Sequence, residues 1–152
     1  MITIKWESLK DTKRFANLIK DYVFEGFLIL TNGDLGAGKT SFAKELAACL
    51  GVKDNVTSPT FNILKCYNAD KYDFYHIDAY RLEGLKQDLG LEEFIEGEGV
   101  TLIEWSEYIS YLLPDNYLKI NITIENENIR VVSIEGVGEK YIHIEKEIER
   151  LW

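Results

Sequence analysis

Residues 27–51 read FLILTNGDLGAGKTSFAKELAACLG, and this stretch decides the fold. Residues 27–30 form a short apolar run, which predicts a β-strand that is covered on both faces. Residues 33–38 are a glycine-rich turn, and Gly51 ends the segment that follows the turn. That segment is predicted to be a helix by apolar residues at helical spacing, namely Phe42, Leu46, Ala47 and Leu50. A strand, a glycine loop and a helix in this order are typical of an α/β domain.

The glycine-rich turn has the sequence of a phosphate-binding loop, or P-loop. Residues 33–40, GDLGAGKT, match G-x-x-x-x-G-K-[ST] at every defined position. Glycine lets backbone N–H groups face phosphate oxygens, and the positive end of the next helix faces the same anion. We expect Lys39 to reach the β- and γ-phosphates and Thr40 to offer its hydroxyl to Mg²⁺, which prefers oxygen ligands. The predicted nucleotide contacts are Gly33, Asp34, Leu35, Gly36, Ala37, Gly38, Lys39, Thr40 and Ser41. The alternative is an ordinary glycine turn in which Lys39 is merely solvated.

Hydrophobic patterning predicts further elements on both sides of this unit. Alternation at residues 2–6 predicts a first strand, and residues 9–24 are predicted to form a helix. Further strands are predicted at residues 61–67, 72–78, 100–103, 118–124 and 129–134, with short helices around Leu85–Ile95 and at 107–112, and a closing helix or frayed end at 139–152. We expect residues 1–152 to form one α/β, P-loop NTPase-like domain. It should have a mostly parallel central sheet, flanking helices and an antiparallel strand pair near the C-terminus.

Composition and charge exclude several classes of protein. The 152 residues include 17 basic and 26 acidic side chains, a net charge of −9 without a lysine or arginine cluster, so a direct nucleic-acid binder is not expected. No apolar run approaches the roughly 18 residues of a membrane span, and the N-terminus does not resemble a signal peptide. Cys49 and Cys66 form no CxxC pair, which favours a reducing, cytoplasmic location.

Two predicted strands end in acidic residues that could complete a phosphate site. Residues 72–78, YDFYHID, end at Asp78, and residues 100–104, VTLIE, end at Glu104. If both strands run parallel to the strand before the P-loop, both carboxylates lie at the edge of the sheet where ligands bind. A P-loop site needs such a carboxylate near Mg²⁺ or the attacking water. Alternatively, each acid simply marks the place where solvent begins.

Four further features leave two interpretations open. His76 shares a strand face with Asp78, but it is equally consistent with a satisfied core histidine. Arg81 could contact a phosphate or pair with a surface acid. Residues 58–60 (Ser58, Pro59 and Thr60) lie where nucleotide switches sense the γ-phosphate, or they form a turn that Pro59 shapes. Trp105 is either a core residue or an aromatic that faces a partner.

Four motifs in a fixed order resemble those of the bacterial TsaE family, also called the YjeE family. They are GDLGAGKT at 33–40, SPTF at 58–61, HIDAYR at 76–81 and LIEW at 102–105. The resemblance covers nearly the whole chain. Members of the family are P-loop ATPases that are needed to make threonylcarbamoyladenosine in tRNA, together with a partner pair that carries the transferase. The resemblance therefore implies a weak ATPase that uses ATP and Mg²⁺, is stimulated by transferase subunits and binds little free tRNA.

The resemblance also implies roles for individual residues. Lys39, Asp78 and Glu104 correspond to catalytic positions, of which Asp78 is linked to hydrolysis. Thr40 and Glu104 correspond to Mg²⁺ ligands, and residues 58–60 to a switch loop.

Residues outside the best-matching motifs correspond more weakly. Thr12 corresponds to a threonine near the adenine, and Arg130 to a basic residue near the nucleotide. His76, Arg81 and Trp105 are expected to support the site.

Two other classes of protein share the P-loop. A small-molecule kinase also needs an acceptor pocket and an arginine-bearing lid, whereas the only arginines here are the scattered Arg14, Arg81, Arg130 and Arg150. A GTPase-type switch or binding module usually reads guanine through N-K-x-D, which the sequence lacks, and no D-x-x-G follows the second strand. ATP is therefore preferred over GTP.

Overall fold

The computed structural model describes residues 1–59, 61–86 and 89–152. The strands are β1 (Ile2–Trp6), β2 (Leu28–Asn32), β3 (Leu64–Tyr67), β4 (Phe74–Asp78), β5 (Val100–Glu104), β6 (Tyr117–Ile124) and β7 (Arg130–Val137). The α-helices are α1 (Leu9–Lys20), α2 (Lys39–Cys49), α3 (Leu91–Ile95) and α4 (Glu139–Leu151). Two 3₁₀ helices occupy Tyr80–Leu82 and Ser106–Leu112. None of the helices in these ranges is long and apolar enough to cross a membrane.

The strands form one sheet in the order β1-β7-β6-β2-β5-β4-β3. The four central strands β6, β2, β5 and β4 are parallel to one another, whereas β1–β7, β7–β6 and β4–β3 are antiparallel pairs. This topology confirms the predicted α/β fold with a parallel centre and an antiparallel strand pair, β6–β7, near the C-terminus. Strands β3 and β4 form a second antiparallel pair. Because β2, β4 and β5 are parallel, their C-terminal ends lie at one edge of the sheet, where the P-loop leaves β2.

Strand β2 begins with three apolar residues because both faces of the sheet are covered there. Ile29 belongs to the core under α1, α2 and α4. Leu28 and Leu30 point to the other core, which includes residues of α3 and of the 3₁₀ helices. All three side chains are at most 3% exposed. Truncation of such a residue to alanine costs about 2–5 kcal/mol, so the apolar run anchors the P-loop to the core.

Several element boundaries differ from the sequence-based predictions. Helix α1 begins after Ser8, whose hydroxyl accepts a hydrogen bond from the Lys10 N–H at 3.2 Å, but it ends at Lys20 rather than at residue 24. The chain turns after Lys20, so that the Phe24 ring packs edge-on against Phe27, with ring centroids 5.0 Å apart. Phe24 is therefore partly buried against the core from outside the helix.

Strand β3 begins three residues later than predicted. Phe61 is 81% exposed, and Ile63 has a φ of 66°, a conformation that no strand residue adopts. Strand β4 likewise begins at Phe74 rather than at residue 72. The segment at 139–152 is a helix, and the predicted helix at 107–112 is a 3₁₀ helix. Of the helices predicted around Leu85–Ile95, α3 forms after Gly90, and residues 87–88 lie outside the described residues.

Candidate functional site: a phosphate-binding loop

The P-loop connects β2 directly to α2, and its glycines are required by the backbone. Gly36 and Gly38 have φ angles of 79° and 113°, in the left-handed region, and Gly38 is the N-cap of α2. A Cβ atom at Gly33 would lie 2.5 Å from the carbonyl oxygen of Ile122 on β6. The loop therefore packs closely against β6, and α2 begins at Lys39 directly after the loop.

Lys39 is buried against the loop that precedes it. Its side chain is 5% exposed, and its ammonium group donates hydrogen bonds to the carbonyl of Gly33 and, at 3.2 Å, to that of Asp34. The ammonium nitrogen also lies 4.1 Å from the centroid of the Trp105 ring. Burial lowers the pKa of Lys39, and nearby carboxylates, first of all Glu104, oppose this shift. The alternative of a merely solvated Lys39 is therefore wrong.

Glu104, at the end of β5, joins the P-loop to β4. The Thr40 hydroxyl donates to both carboxylate oxygens of Glu104 at 3.2 Å, and His76 Nε2 lies 2.5 Å from Oε2 of the same group. Glu104 is 3% exposed and His76 is fully buried. The structure thus brings together Thr40 and Glu104, the two predicted Mg²⁺ ligands, which are 64 residues apart in the sequence.

The side chains of Thr40 and Glu104 suit an Mg²⁺ ion that is bound together with phosphates, rather than a metal ion whose ligands all come from the protein. Among the described residues, no group of three or more His, Cys, Asp or Glu side chains is arranged to hold a metal ion. Mg²⁺ is usually bound through one or two carboxylates, with water and substrate phosphates as the remaining ligands. A hydroxyl from Thr40 and a carboxylate from Glu104 beside a phosphate-binding loop fit this pattern.

Asp78 lies beside Glu104, because the two residues are paired in the register of β4 and β5. Its carboxylate is 6% exposed and accepts hydrogen bonds from the Tyr80 N–H at 3.0 Å and from the Ser58 hydroxyl at 3.4 Å. Strand-terminal acids at Asp78 and Glu104 therefore share one site, as the sequence predicts for parallel strands.

The predicted switch loop contacts the end of β4. Ser58 is bonded to Asp78, Pro59 is buried, and Thr60 lies outside the described residues. The Asp78 N–H donates to the carbonyl of Ile63 at 2.8 Å. Ser58 and Ile63 therefore both bond to Asp78, the last residue of β4.

Two cavities border the P-loop. The first, of about 340 Å³, is lined by residues 35–41, Ser58, Asp78, Tyr80, Glu104 and Trp105. The second, of about 470 Å³, is lined by residues 6–9, Thr12, residues 36–38, Ser41, residues 127–128 and Arg130. Lys39, Thr40, Asp78 and Glu104 line only the first of these cavities, Thr12 and Arg130 line only the second, and residues 36–38 and Ser41 line both. Gly33 and Asp34 line neither of the two and border a smaller cavity beside β6.

Arg130 contacts the backbone of the P-loop. Its Nε donates to the carbonyl of Ala37 at 2.9 Å, and Nη2 donates to that of Gly36 at 3.5 Å. Nη1 donates to the carbonyl of Asn126 at 2.9 Å, in the turn between β6 and β7. This guanidinium therefore ties the β6–β7 turn to the outer side of the P-loop.

Tyr80 and Trp105 line the first cavity, and Tyr108 packs against both of them. The Trp105 ring lies parallel to that of Tyr108, with centroids 5.8 Å apart, and edge-on to that of Tyr80 at 5.0 Å. Arg81 does not line this cavity, and its guanidinium lies 4.6 Å from the centroid of the Phe61 ring. Sequence reasoning missed Tyr80, although its place two residues after Asp78 in HIDAYR is a signal for it.

An α/β sheet with a P-loop after its central strand, and with two acids at the ends of the neighbouring parallel strands, defines a P-loop protein. The family described as "Threonylcarbamoyl adenosine biosynthesis protein TsaE" matches residues 6–132. The chain belongs to the TsaE family, which confirms the resemblance noted in the sequence.

Individual relatives match over most of their length. The tRNA threonylcarbamoyladenosine biosynthesis protein TsaE of Bacillus subtilis (strain 168) is 39% identical over 152 residues, which span 99% of this chain and 96% of the relative. The protein of the same name from Rickettsia prowazekii (strain Madrid E) is 41% identical over 130 residues, spanning 84% and 90%. The crystal structure of YdiB from Bacillus subtilis superimposes with a TM-score of 0.82 at 34% identity, covering 98% of this chain and 95% of that one.

Proposed function

We propose that this protein is a cytoplasmic, Mg²⁺-dependent ATPase that serves the threonylcarbamoyladenosine modification of tRNA as an accessory to the transferase subunits. The observation that carries the proposal is the contact of Thr40 with Glu104 beside the P-loop, in a chain of the TsaE family. A hydroxyl and a carboxylate next to a phosphate cradle are the groups that an Mg²⁺–nucleotide complex needs.

Each residue around the first cavity has a distinct part in this proposal. The backbone N–H groups of the P-loop and the start of α2 bind phosphate oxygens, and Lys39 exchanges the carbonyls of Gly33 and Asp34 for phosphate. Thr40 and Glu104 would hold Mg²⁺, which supplies positive charge to the phosphates when it is bound. Asp78 orients the attacking water and couples it to the switch loop through Ser58.

The distribution of positive charge supports a slow basal rate. Lys39 is the only basic side chain among the residues that line the first cavity, while Arg130 is engaged by loop carbonyls and Arg81 by Phe61. In other P-loop enzymes an arginine supplied in trans adds about 10³–10⁵ in rate. We therefore expect a transferase subunit to accelerate hydrolysis, either by adding a cation or by ordering the switch loop.

Net charge supports action through protein partners rather than on bare tRNA. Binding to phosphate backbones is driven chiefly by lysine and arginine side chains, which release counterions. A chain of net charge −9 without a basic cluster offers no such surface. The tRNA is therefore expected to reach the assembly through the transferase.

The test is a steady-state hydrolysis assay with ATP or GTP, with and without Mg²⁺, candidate acceptors and copurified partners. We expect slow, Mg²⁺-dependent ATP hydrolysis that partners accelerate and that acceptors do not change. Phosphate transfer to an acceptor would identify a kinase instead, and a preference for GTP would identify a guanine-nucleotide switch. A fast basal rate that partners leave unchanged would contradict an accessory role.

Two binding experiments complete the test. Filter binding at moderate salt should show weak binding of free tRNA, and tight, salt-sensitive binding would contradict the charge argument. A pull-down from native lysate followed by mass spectrometry should recover a tRNA threonylcarbamoyl transferase. Recovery of other proteins without a transferase would count against the proposed partner.

A further inference from the structure

His76 is a fully buried polar residue whose side chain has one polar partner. It lies on β4 and shares a strand face with Phe74, whose ring centroid is 6.2 Å from the imidazole. Its Nε2 atom lies 2.5 Å from Oε2 of Glu104. Its Nδ1 atom has no hydrogen-bond partner in residues 1–59, 61–86 and 89–152.

This environment fixes the hydrogen-bonding role of one imidazole nitrogen. The Glu104 carboxylate accepts hydrogen bonds, so Nε2 must carry the proton that it donates. His76 therefore donates a hydrogen bond from Nε2 to Glu104.

The Glu104 carboxylate depends on protein donors because it is only 3% exposed. One of these donors is the Thr40 hydroxyl, which is itself a candidate Mg²⁺ ligand. The other is His76, which approaches from β4 and lines neither of the two cavities beside the P-loop. The bond from His76 thus orients the carboxylate without competing for the metal.

Resting on the proposed function, we propose that His76 is a positioning residue that sets the Mg²⁺ affinity of the site by fixing the Glu104 carboxylate beside Thr40. Outer groups that orient metal ligands are typically worth about 10–100-fold in metal affinity. A histidine that served only to fill the core would change the stability of the fold and leave the Mg²⁺ requirement unaltered.

The test compares two substitutions with a matched control. His76→Leu removes the donor and keeps an apolar side chain next to Phe74, whereas His76→Gln restores an N–H donor at a similar reach. His143→Leu removes the other of the two histidines, on the exposed side of α4, and is the control. ATP binding is measured by isothermal titration across a series of Mg²⁺ concentrations and in EDTA.

We expect His76→Leu to raise the Mg²⁺ concentration at half-maximal binding about 10–100-fold. ATP binding in EDTA should stay unchanged, His76→Gln should recover most of the Mg²⁺ affinity, and His143→Leu should behave as the unaltered protein. A normal Mg²⁺ response in His76→Leu, or no rescue by His76→Gln, would overturn the positioning role alone. Absence of Mg²⁺-dependent ATP binding in the unaltered protein would overturn the proposed function as well.

A spectroscopic measurement keeps the inference testable if His76→Leu does not fold. A ¹⁵N spectrum of the metal-free protein should show a proton on Nε2 of His76, and His143→Leu assigns the signal because it leaves one histidine. An Nε2 atom without a proton would refute the donor role, since it would have no hydrogen to donate to Glu104.

Discussion

Replacing Lys39 with methionine should separate nucleotide binding from stability. Methionine keeps most of the length and packing of the lysine stem but removes the ammonium group. Lys39 is 5% exposed, and its ammonium group contacts the carbonyls of Gly33 and Asp34 and the ring of Trp105. We expect Lys39→Met to bind ATP much more weakly while the fold becomes no less stable.

The stability effect follows from the direction of the pKa shift. Hydrogen bonds to a charged group contribute about 1.5–3 kcal/mol each, and the contact with Trp105 adds about 0.5–2 kcal/mol. Removal of the ammonium from water costs several kcal/mol. Burial lowers the pKa of Lys39 and outweighs the attraction of the nearby carboxylates, so the charged form is disfavoured in the folded protein. The free energy of unfolding of Lys39→Met should therefore be unchanged or higher by up to about 1 kcal/mol.

The binding effect follows from the loss of one charged contact to phosphate. A charge-assisted hydrogen bond is worth about 1.5–3 kcal/mol, which corresponds to a factor of about 10–150 in the dissociation constant for ATP. Loss of activity with a gain in stability is a common signature of functional residues that are strained or desolvated.

The assay pairs urea unfolding, followed by circular dichroism, with isothermal titration of ATP. Lys44→Met is the control, since Lys44 is an exposed lysine on the same helix, and it should change neither quantity. A Lys39→Met protein that unfolds more easily would assign a structural role to the lysine, and one that binds ATP normally would refute its role as a phosphate ligand.

Three further predictions follow from the site. Glu104→Gln should raise the Mg²⁺ concentration needed for ATP binding, whereas Asp78→Asn should lower the turnover of ATP with binding largely retained. Identical effects of the two substitutions in titration and hydrolysis assays would contradict these separate roles. Arg130→Met should weaken ATP binding about tenfold because it removes the hydrogen bond to the Ala37 carbonyl. Arg130→Lys should restore ATP binding only in part because lysine lacks the guanidinium fork. A normal ATP titration for Arg130→Met would exclude a role of Arg130 in supporting the P-loop. The folded-state pKa of Lys39 lies below its ordinary value of 10.5, so the unfolded chain binds more protons than the folded chain between these two pKa values. In parallel urea titrations the unaltered protein should therefore gain stability relative to Lys39→Met as the pH rises towards 10.5. A stability difference that stays constant with pH would contradict the lowered pKa.

The local elements around the P-loop could be predicted because their causes are local. The apolar run before the loop predicts a doubly covered strand, and the structure places it at Leu28–Asn32 between two cores. The glycines at 36 and 38 occupy left-handed backbone conformations that other residues rarely adopt. Local pattern is least reliable where tertiary packing overrides it. Helix α1 ends at Lys20 although the predicted helix extends to residue 24, and Ile63 precedes β3 with a positive φ.

The sequence by itself determined which residues were candidates for the site: a lysine and a threonine after the glycines, and acids at the ends of two strands. Only the tertiary structure decided their partners. Sheet order and register join Thr40 to Glu104 across 64 residues, and they place His76 against Glu104 across 28 residues. They also direct Arg130 to a loop carbonyl 93 residues away. These pairings depend on which strands become neighbours in the sheet and on the water that the packed strands exclude. Exclusion of water lowers the pKa of Lys39, and no short stretch of sequence encodes it.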